Sequence, residues 1–226
     1  MNYAIIVAGG SGKRMQSSTP KQFIEIGGLP ILMRTIKAFY QYSQDLNIIV
    51  VIPEDQFTSW KNLVEIHHFD IHHQLVKGGE SRFESVKNGL QTIDKAGLVA
   101  IHDGVRPFVS SLLIGQCYKS AKEFGSGVAA VIPKDSIREL TDTGHKAVNR
   151  NHYRLMQTPQ TFELSIIKQA YLSTNNKNFT DDASVAESTG SKISLVKGDY
   201  SNVKITTPED VKIAQALFEL DFRKSN

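Results

Sequence analysis

Short apolar runs recur along the chain and alternate with segments whose apolar residues follow a helical spacing. The runs at 4–7, 47–52, 98–101 and 127–132 are too short for buried helices but have the length of buried strands. Near-continuous Val and Ile runs are typical of parallel strands that are covered on both faces. The pattern therefore predicts the α/β class, with a Rossmann-like, mostly parallel twisted sheet and helices on both faces.

Further elements are predicted from spacing and capping residues. Pro30 begins one helix, residues 55–66 form a weaker one, and the helix after Gly78-Gly79 begins with a capping box formed by Ser81 and Glu84. Thr180 is the predicted N-cap of a short helix at 181–188, and Thr207 caps the last helix. Additional strands are predicted at 71–76, 153–158, 193–196 and 203–205, and additional helices around 113–121 and at 163–172.

The strand–helix alternation is interrupted between Pro133 and Arg154. Residues 134–150 alternate polar and apolar around Asp142-Thr143-Gly144, which predicts a hairpin. We interpret the chain as a single domain, 1–226, with this β-arm, about 134–153, as a subdomain. Apolar positions on an arm without a core beneath them favour a homodimer, and the alternative is a surface excursion on a monomer.

Composition limits the class of protein. The 226 residues are 40% hydrophobic and 22% charged, which is typical of a soluble globular protein. A formal net charge of +3 is too small to indicate nucleic-acid binding, and no apolar run approaches the roughly 20 residues that span a membrane. Cys117 is the one cysteine, so nothing indicates an oxidising compartment and we expect a cytoplasmic location.

The turn after the first strand has the chemistry of a polyphosphate site. Ala8-Gly9-Gly10-Ser11-Gly12 can turn backbone N–H groups toward a ligand, and Lys13, Arg14 and Lys21 follow as cations. The turn lacks the third glycine of a dinucleotide fingerprint and the Ser or Thr of a Walker loop. A plain strand followed by a flexible turn is the alternative that the glycines alone would favour.

Several other conspicuous residues have structural interpretations. The histidines at 67, 68, 72 and 73 lack the partners of a metal site and are interpreted as surface or structural residues. His102 is interpreted as a packed residue at a strand end, Cys117 as a core residue and Trp60 as a partly exposed helix residue.

Five segments, in order, resemble a known enzyme family. A-G-G-x-G-x-R-M followed by P-K-Q resembles the signature of nucleotidyltransferases. The other segments are Gly78 to Val86, His102 to Pro107, Arg150 with Gln157-Thr158-Pro159-Gln160 and Thr180 to Ala183, and Asn202 to Asp210. Together they cover about residues 3–218 and resemble the cytidylyltransferase family of the non-mevalonate isoprenoid pathway.

The resemblance implies transfer of CMP from CTP to 2-C-methyl-D-erythritol 4-phosphate, with Mg²⁺ or another divalent cation held mostly by phosphate oxygens. The implied catalytic residues are Arg14, Lys21, Arg150 and Lys204. Acceptor binding is assigned to Arg150, Thr158, Thr180 and Lys204, and Asp103 faces the ribose or the metal. The implied nucleotide-binding residues are Ala8, Gly9, Gly10, Ser11, Gly12, Lys13, Gly79, Glu80, Ser85, Asp103, Gly104 and Arg106.

Three questions stay open from the sequence. The related ribitol 5-phosphate cytidylyltransferases share the first turn and the T-P-Q element, although Thr180 to Val185 and Tyr200 to Lys204 favour the methylerythritol enzyme. A non-catalytic CTP-binding sensor on the same fold is a second alternative. Arg150 lies at the end of the arm, so it can serve its own site or that of a second subunit.

Overall fold

The computed structural model describes residues 1–9, 19–174, 176 and 178–225. The described residues form eleven strands: β1 (Asn2–Val7), β2 (Glu25–Ile26), β3 (Leu29–Pro30), β4 (Asn47–Ile52), β5 (Gln74–Lys77), β6 (Leu98–Asp103), β7 (Ser126–Val131), β8 (Ile137–Thr141), β9 (Gly144–Val148), β10 (Leu155–Glu163) and β11 (Leu195–Lys197). Their helices are α1 (Ile31–Tyr42), α2 (Phe57–Ile66), α3 (Arg82–Gln91), α4 (Ser111–Phe124), α5 (Leu164–Ser173), α6 (Asp182–Glu187) and α7 (Pro208–Ser225).

Seven strands form the central sheet in the order β11-β7-β10-β6-β1-β4-β5. The pairs β6-β1, β1-β4, β4-β5 and β7-β11 are parallel, whereas β10 is antiparallel to both β6 and β7. An antiparallel neighbour needs no helical crossover, and β10 follows β7 by way of the arm. The sheet confirms the predicted mostly parallel α/β class.

Helices cover both faces of the sheet because successive strand residues point to opposite sides. Ile5 and Val7 belong to one core cluster, with apolar residues of α3, α5 and α6. Ala4 and Ile6 belong to a second cluster, with residues of α1, α2 and α4. Cys117 is buried in the second cluster, as predicted.

The predicted hairpin forms a separate two-stranded sheet of β8 and β9. Thr141 pairs with Gly144, so Asp142 and Thr143 make the turn. Almost every residue of both strands is exposed, and Leu140 is 83% exposed. The arm thus has no core of its own in the chain.

The last helix packs beside the carboxyl end of β6 and the beginning of α1. Ile26, Ile31, Val105, Ile205 and Ala214 form a third buried cluster. The predicted cap of this helix is confirmed, because the Asp210 N–H donates to Thr207 Oγ1 at 3.3 Å and the Thr207 N–H donates to Asp210 Oδ2 at 2.9 Å. Among the described residues, no helix combines the length and the apolar character that crossing a membrane requires.

Some predicted boundaries were wrong. The strand predicted at 153–158 is β10, which begins at Leu155 and ends at Glu163. Its pairing with β7 shifts register between Met156 and Gln160, and beyond this shift it pairs with both β7 and β6. Residues 203–205 form no strand; the Ile205 N–H instead bonds to the Val105 carbonyl at 3.0 Å. Gln74 begins β5, three residues later than predicted.

Two side-chain predictions were also wrong. Trp60 is 1% exposed, because Phe23, Phe69 and His73 pack around its indole. The N-cap of α6 is Asp181, not Thr180, since the Asp181 carboxylate accepts a hydrogen bond from the Ser184 N–H at 3.0 Å.

Candidate active site

A cleft of about 280 Å³ lies at the carboxyl ends of β1 and β6. Open α/β sheets characteristically bind ligands at this edge. The cleft is lined by Val7, Ala8, Gly9, Lys21, Glu80, Ser81, Arg82, Ser85, Asp103, Val105 and Lys204. It therefore brings together predicted residues from the first turn, the 79–85 segment, the end of β6 and the segment before α7.

The backbone that leaves β1 is fixed at the floor of this cleft. The Ala8 N–H bonds to the Val51 carbonyl at 2.8 Å, and the Gly104 N–H bonds to the Val7 carbonyl at 2.8 Å. A Cβ at Gly104 would lie 2.8 Å from that of Ala8, so the two segments approach closely. The predicted phosphate-binding residues Gly10, Ser11, Gly12, Lys13 and Arg14 lie outside the described residues.

Asp103 is the electrostatic centre of the cleft. Its carboxylate is 3.0 Å from Lys204 Nζ, 3.2 Å from Arg106 Nε and 3.6 Å from Arg82 Nε. Burial alone would raise the pKa of the Asp103 carboxyl, but the charges of Arg82, Lys204 and Arg106 outweigh burial and hold that pKa far below its usual range. Asp103 is therefore ionised at neutral pH and fixes three cations around itself.

Arg82 joins this centre to α6. Its guanidinium donates to both oxygens of buried Asp182, at 2.9 and 2.6 Å, and the Tyr171 hydroxyl donates to Asp182 at 2.6 Å. Burial alone would lower the pKa of Arg82, but the charge and hydrogen bonds of Asp182 outweigh burial and raise that pKa. Burial and the Asp182 charge raise the pKa of Tyr171 well above its usual value, so its hydroxyl stays a donor.

Sequence reasoning missed Arg82 as a separate site residue. Its partner Asp182 is a hundred positions away, so no local pattern indicates the pair. The sequence does show that Arg82 lies two residues after Glu80, a predicted nucleotide-binding residue, at the start of a predicted helix.

The 79–85 segment is held by hydrogen bonds to α3. The Glu84 N–H donates to Ser81 Oγ at 3.1 Å, as predicted, but Glu84 Oε2 accepts from the Glu80 N–H at 3.0 Å rather than from that of Ser81. Ser85 Oγ accepts from the Gly79 N–H at 3.1 Å and donates to the Ser81 carbonyl at 2.9 Å. A Cβ at Gly79 would lie 2.3 Å from Glu84 Cβ, so this turn requires a glycine.

Thr158 and Arg106 connect the end of β6 to the segment that carries Lys204. Thr158 Oγ1 accepts from the Asp103 N–H at 3.1 Å, and Asn202 Nδ2 donates to the Thr158 carbonyl at 2.8 Å. Arg106 Nη1 donates to the Asn202 carbonyl at 2.8 Å. Lys204 lies two residues beyond Asn202 and is 41% exposed, so its ammonium group also faces solvent.

Gln160 fixes the start of α6. Its side-chain carbonyl accepts from the N–H groups of Asp182 and Ala183 at 2.9 and 2.8 Å, and its amide donates to Asp181 at 2.9 Å. Thr180 precedes this anchored turn and is exposed, and it does not line the cleft.

Arg150 does not line the cleft of its own chain. It lies in a single 3₁₀ turn after the arm and donates to the Lys134 carbonyl. It lines a separate hollow of about 500 Å³ formed by residues of the arm. The structure thus brings together Lys21, Asp103 and Lys204, but not Arg150.

Asp103 is the carboxylate on which metal binding at the cleft would depend. Mg²⁺ commonly uses one or two carboxylates together with substrate phosphates, and a cleft with one buried carboxylate fits that donor set. Within the described part of the chain, no three His, Cys, Asp or Glu residues cluster as metal ligands.

His102 and His73 have packing roles, whereas His68 and His72 are exposed. His102 is buried and donates to the Arg106 carbonyl at 3.2 Å, and burial lowers its pKa to about 4, which confirms a packed neutral residue. His73 accepts from the Trp60 indole N–H at 2.9 Å and donates to the Ile71 carbonyl at 2.7 Å. Burial lowers the pKa of His73, which favours this neutral state.

Comparison with known proteins gives a consistent result. The family described as "IspD: 2-C-methyl-D-erythritol 4-phosphate cytidylyltransferase" matches residues 2–220. The enzyme of that name from Phocaeicola vulgatus is 48% identical over 215 residues, which are 95% of this chain and 98% of the relative. That from Bacteroides thetaiotaomicron is 49% identical over 213 residues, 94% of this chain and 97% of the relative.

Solved structures of similar proteins have the same fold. The 4-diphosphocytidyl-2C-methyl-D-erythritol synthase of Anaerococcus prevotii has a TM-score of 0.83 and 32% identity, and the match covers 96% of each chain. The 2-C-methyl-D-erythritol 4-phosphate cytidylyltransferase of Thermus thermophilus has a TM-score of 0.79 and 27% identity, with 96% of this chain and 98% of that chain covered.

We expect the Asp182→Asn substitution to lower the free energy of unfolding by roughly 3–5 kcal/mol, because buried Arg82 would lose its paired carboxylate. Urea denaturation measures this change, and Asp94→Asn, at an exposed aspartate, is the matched control. A change no larger than that of the control would show that the Arg82–Asp182 pair does not stabilise the fold.

Proposed function

The chain belongs to the 2-C-methyl-D-erythritol 4-phosphate cytidylyltransferase family, and from this membership we propose how its residues divide the work of the reaction. The activity is transfer of CMP from CTP to 2-C-methyl-D-erythritol 4-phosphate in isoprenoid precursor biosynthesis. The observation that supports the proposed roles is that Lys21 lines the same cleft in which Arg82 and Lys204 pair with Asp103.

The reaction requires two polyanions to meet. An oxygen of the acceptor phosphate attacks the α-phosphorus of CTP, a new P–O bond forms, and the bond to pyrophosphate breaks. The attacking oxygen is already ionised, so placement and charge neutralisation dominate and no strong general base is needed. A cleft lined by fixed cations provides both.

Lys21 and Arg14 are the groups that we assign to the α-phosphate, where negative charge increases in the transition state. Removing one preorganised donor of this kind typically lowers the rate roughly 10²–10³-fold. Backbone groups of residues 8–12, with Lys13, bind the triphosphate. The position of Lys21 in the cleft supports its part of this assignment.

Gly79, Glu80 and Ser85 are assigned to the cytosine edge. The Gly79 turn is rigid because its N–H and the Ser85 hydroxyl are already hydrogen-bonded, which supports a fixed recognition surface. Selectivity for cytosine then follows from polar groups of this surface that the internal hydrogen bonds do not use and that a wrong base would leave unpaired. Gly104 contributes backbone, since a side chain at Gly104 would meet Ala8.

Asp103 is assigned to the ribose or to Mg²⁺, and Arg106 to fixing Asp103 beside the nucleotide. Bound Mg²⁺ would neutralise phosphate charge, with Asp103 and phosphate oxygens as its ligands. The Arg106 guanidinium is engaged by Asp103 and by the Asn202 carbonyl, which supports a positioning role for this residue.

Lys204 is assigned to the acceptor phosphate, with Thr158 and Thr180 adding hydroxyl groups. The partial exposure of Lys204 supports this role, because its ammonium can contact a second ligand while it remains near Asp103. The Thr158 hydroxyl accepts a hydrogen bond from the Asp103 N–H, which supports its place beside this site.

We propose a homodimer in which the β-arm packs on a second copy and Arg150 completes the acceptor site of that copy. The exposed arm and the position of Arg150 outside its own cleft support this arrangement. We also propose a cytoplasmic location, in keeping with CTP as a substrate and with one free cysteine.

The acceptor is tested by incubating the protein with CTP and Mg²⁺ and either 2-C-methyl-D-erythritol 4-phosphate or ribitol 5-phosphate. We expect pyrophosphate release with the first acceptor at least about tenfold faster than with the second, because a site whose polar groups pair with the branched triol of one acceptor leaves groups unpaired with the longer, unbranched one. Release with ribitol 5-phosphate alone would overturn the acceptor, and CTP binding without release from either would support a sensor.

Mixed dimers test the role of Arg150 across the interface. Lys21→Ala and Arg150→Ala chains, each with activity lowered roughly 10²–10³-fold alone, should regain about a quarter of wild-type activity after random mixing, because half of the dimers then contain one intact hybrid site. A mixture of Lys21→Ala and Lys204→Ala is the control and should stay at the low level of the separate variants, since both residues line the cleft of one chain. No recovery with Arg150→Ala would show that Arg150 acts within its own subunit.

A further inference from the structure

The segment that carries Lys21 lies outside the central sheet. A backbone hydrogen bond from the Ile31 N–H to the Ile24 carbonyl fixes its end, and side-chain contacts fix Gln22 and Phe23. Lys21–Phe23 is a single 3₁₀ turn, which begins after Pro20 and ends at Ile24. One short turn has few backbone bonds to fix it. The two residues after Lys21, Gln22 and Phe23, are buried, although the neighbouring Lys21 side chain lines the cleft.

Gln56, just before α2, and Trp60, within α2, supply these contacts. Gln22 Nε2 donates to Gln56 Oε1 at 2.5 Å, and the Phe23 ring stacks on the Trp60 indole with centroids 5.9 Å apart. The Trp60 indole is in turn fixed by its hydrogen bond to His73. Residues that the reaction itself does not use therefore surround the segment next to Lys21.

The bond between Gln22 and Gln56 is the polar part of this anchor. Gln22 is 0% exposed, and its side-chain carbonyl has no hydrogen-bond partner among the described residues. Buried amides are normally hydrogen-bonded, and leaving both ends unpaired is unfavourable. Without Gln56, we expect the Gln22 side chain to reorient toward water and to displace the adjoining Lys21 peptide.

We propose that Gln56 is a positioning residue that fixes Lys21 in the cleft through the buried amide of Gln22; this inference rests on the α-phosphate role of Lys21 proposed above. Gln56 is half-buried, precedes α2 and does not line the cleft. Its effect on the reaction is therefore indirect. Because Lys21 acts on the transition state, losing this position lowers kcat and leaves the KM for CTP nearly unchanged.

Two substitutions separate the hydrogen bond from packing. Gln56→Met keeps the length and the unbranched shape but removes the acceptor, and we expect kcat to fall about tenfold because Lys21 is displaced. Gln56→Glu keeps an acceptor oxygen for the Gln22 amide and should remain within about twofold of wild type. Thr58→Ala, at an exposed position in the first turn of α2, is the matched control and should not change kcat.

A double-mutant cycle with Lys21→Ala identifies the route of the effect. If Gln56 acts through Lys21, adding Gln56→Met to Lys21→Ala lowers kcat no further, whereas a general structural effect would lower it in both backgrounds. Thermal unfolding and the fluorescence of Trp60, the one tryptophan in the sequence, confirm that each variant is folded. Gln56→Ala replaces Gln56→Met in the cycle if the latter does not fold.

The outcomes distinguish this inference from the proposed function. If Lys21→Ala keeps wild-type kcat, the proposed role of Lys21 is wrong and the inference fails with it. If Lys21→Ala is impaired but Gln56→Met is not, or if Gln56→Met lowers kcat equally in both backgrounds, the positioning role is wrong and the role of Lys21 stands. A kcat effect that disappears in the Lys21→Ala background, with rescue by Gln56→Glu, supports the inference.

Discussion

The buried carboxylate of Asp103 is the constraint on which the rest of the site depends. A carboxylate that is 7% exposed would be strongly destabilising if it stood alone, and here Arg82, Arg106 and Lys204 surround it. These cations come from α3, from the loop after β6 and from the segment before α7. One side chain therefore fixes three distant segments against the same edge of the sheet.

The polar residues around the cleft fall into two groups with different tasks. Arg106, Thr158, Gln160 and Asp182 are buried, and their hydrogen bonds join one backbone segment to another. Lys21 and Lys204 face the cleft, where charge on the substrates can meet them. The first group fixes the segment that carries Lys204, and rigid charges stabilise a transition state without further reorganisation.

Local patterns were sufficient for much of this architecture. Short Val and Ile runs indicated the sheet, and the cap at Thr207 and the hairpin at Asp142 followed from residues close together in the chain.

Contacts between distant residues were not predictable. Trp60 was predicted to be partly exposed, but Phe23 and His73, from other segments, cover its indole. No local pattern indicated that Arg82 pairs with Asp182. The Glu84 carboxylate accepts a hydrogen bond from the Glu80 N–H, in a turn that requires glycine at position 79. Resemblance supplied the assignments of Asp103 and Lys204, and the folded chain adds the reason that they lie together.

The most direct test of this account is kcat/KM for CTP in the Asp103→Asn variant, measured beside Asp94→Asn with thermal unfolding as a check on folding. We expect a folded protein whose kcat/KM is lower by about 100-fold or more, because the uncharged amide no longer fixes the three cations. A folded variant with wild-type kcat/KM would contradict the central role of this carboxylate.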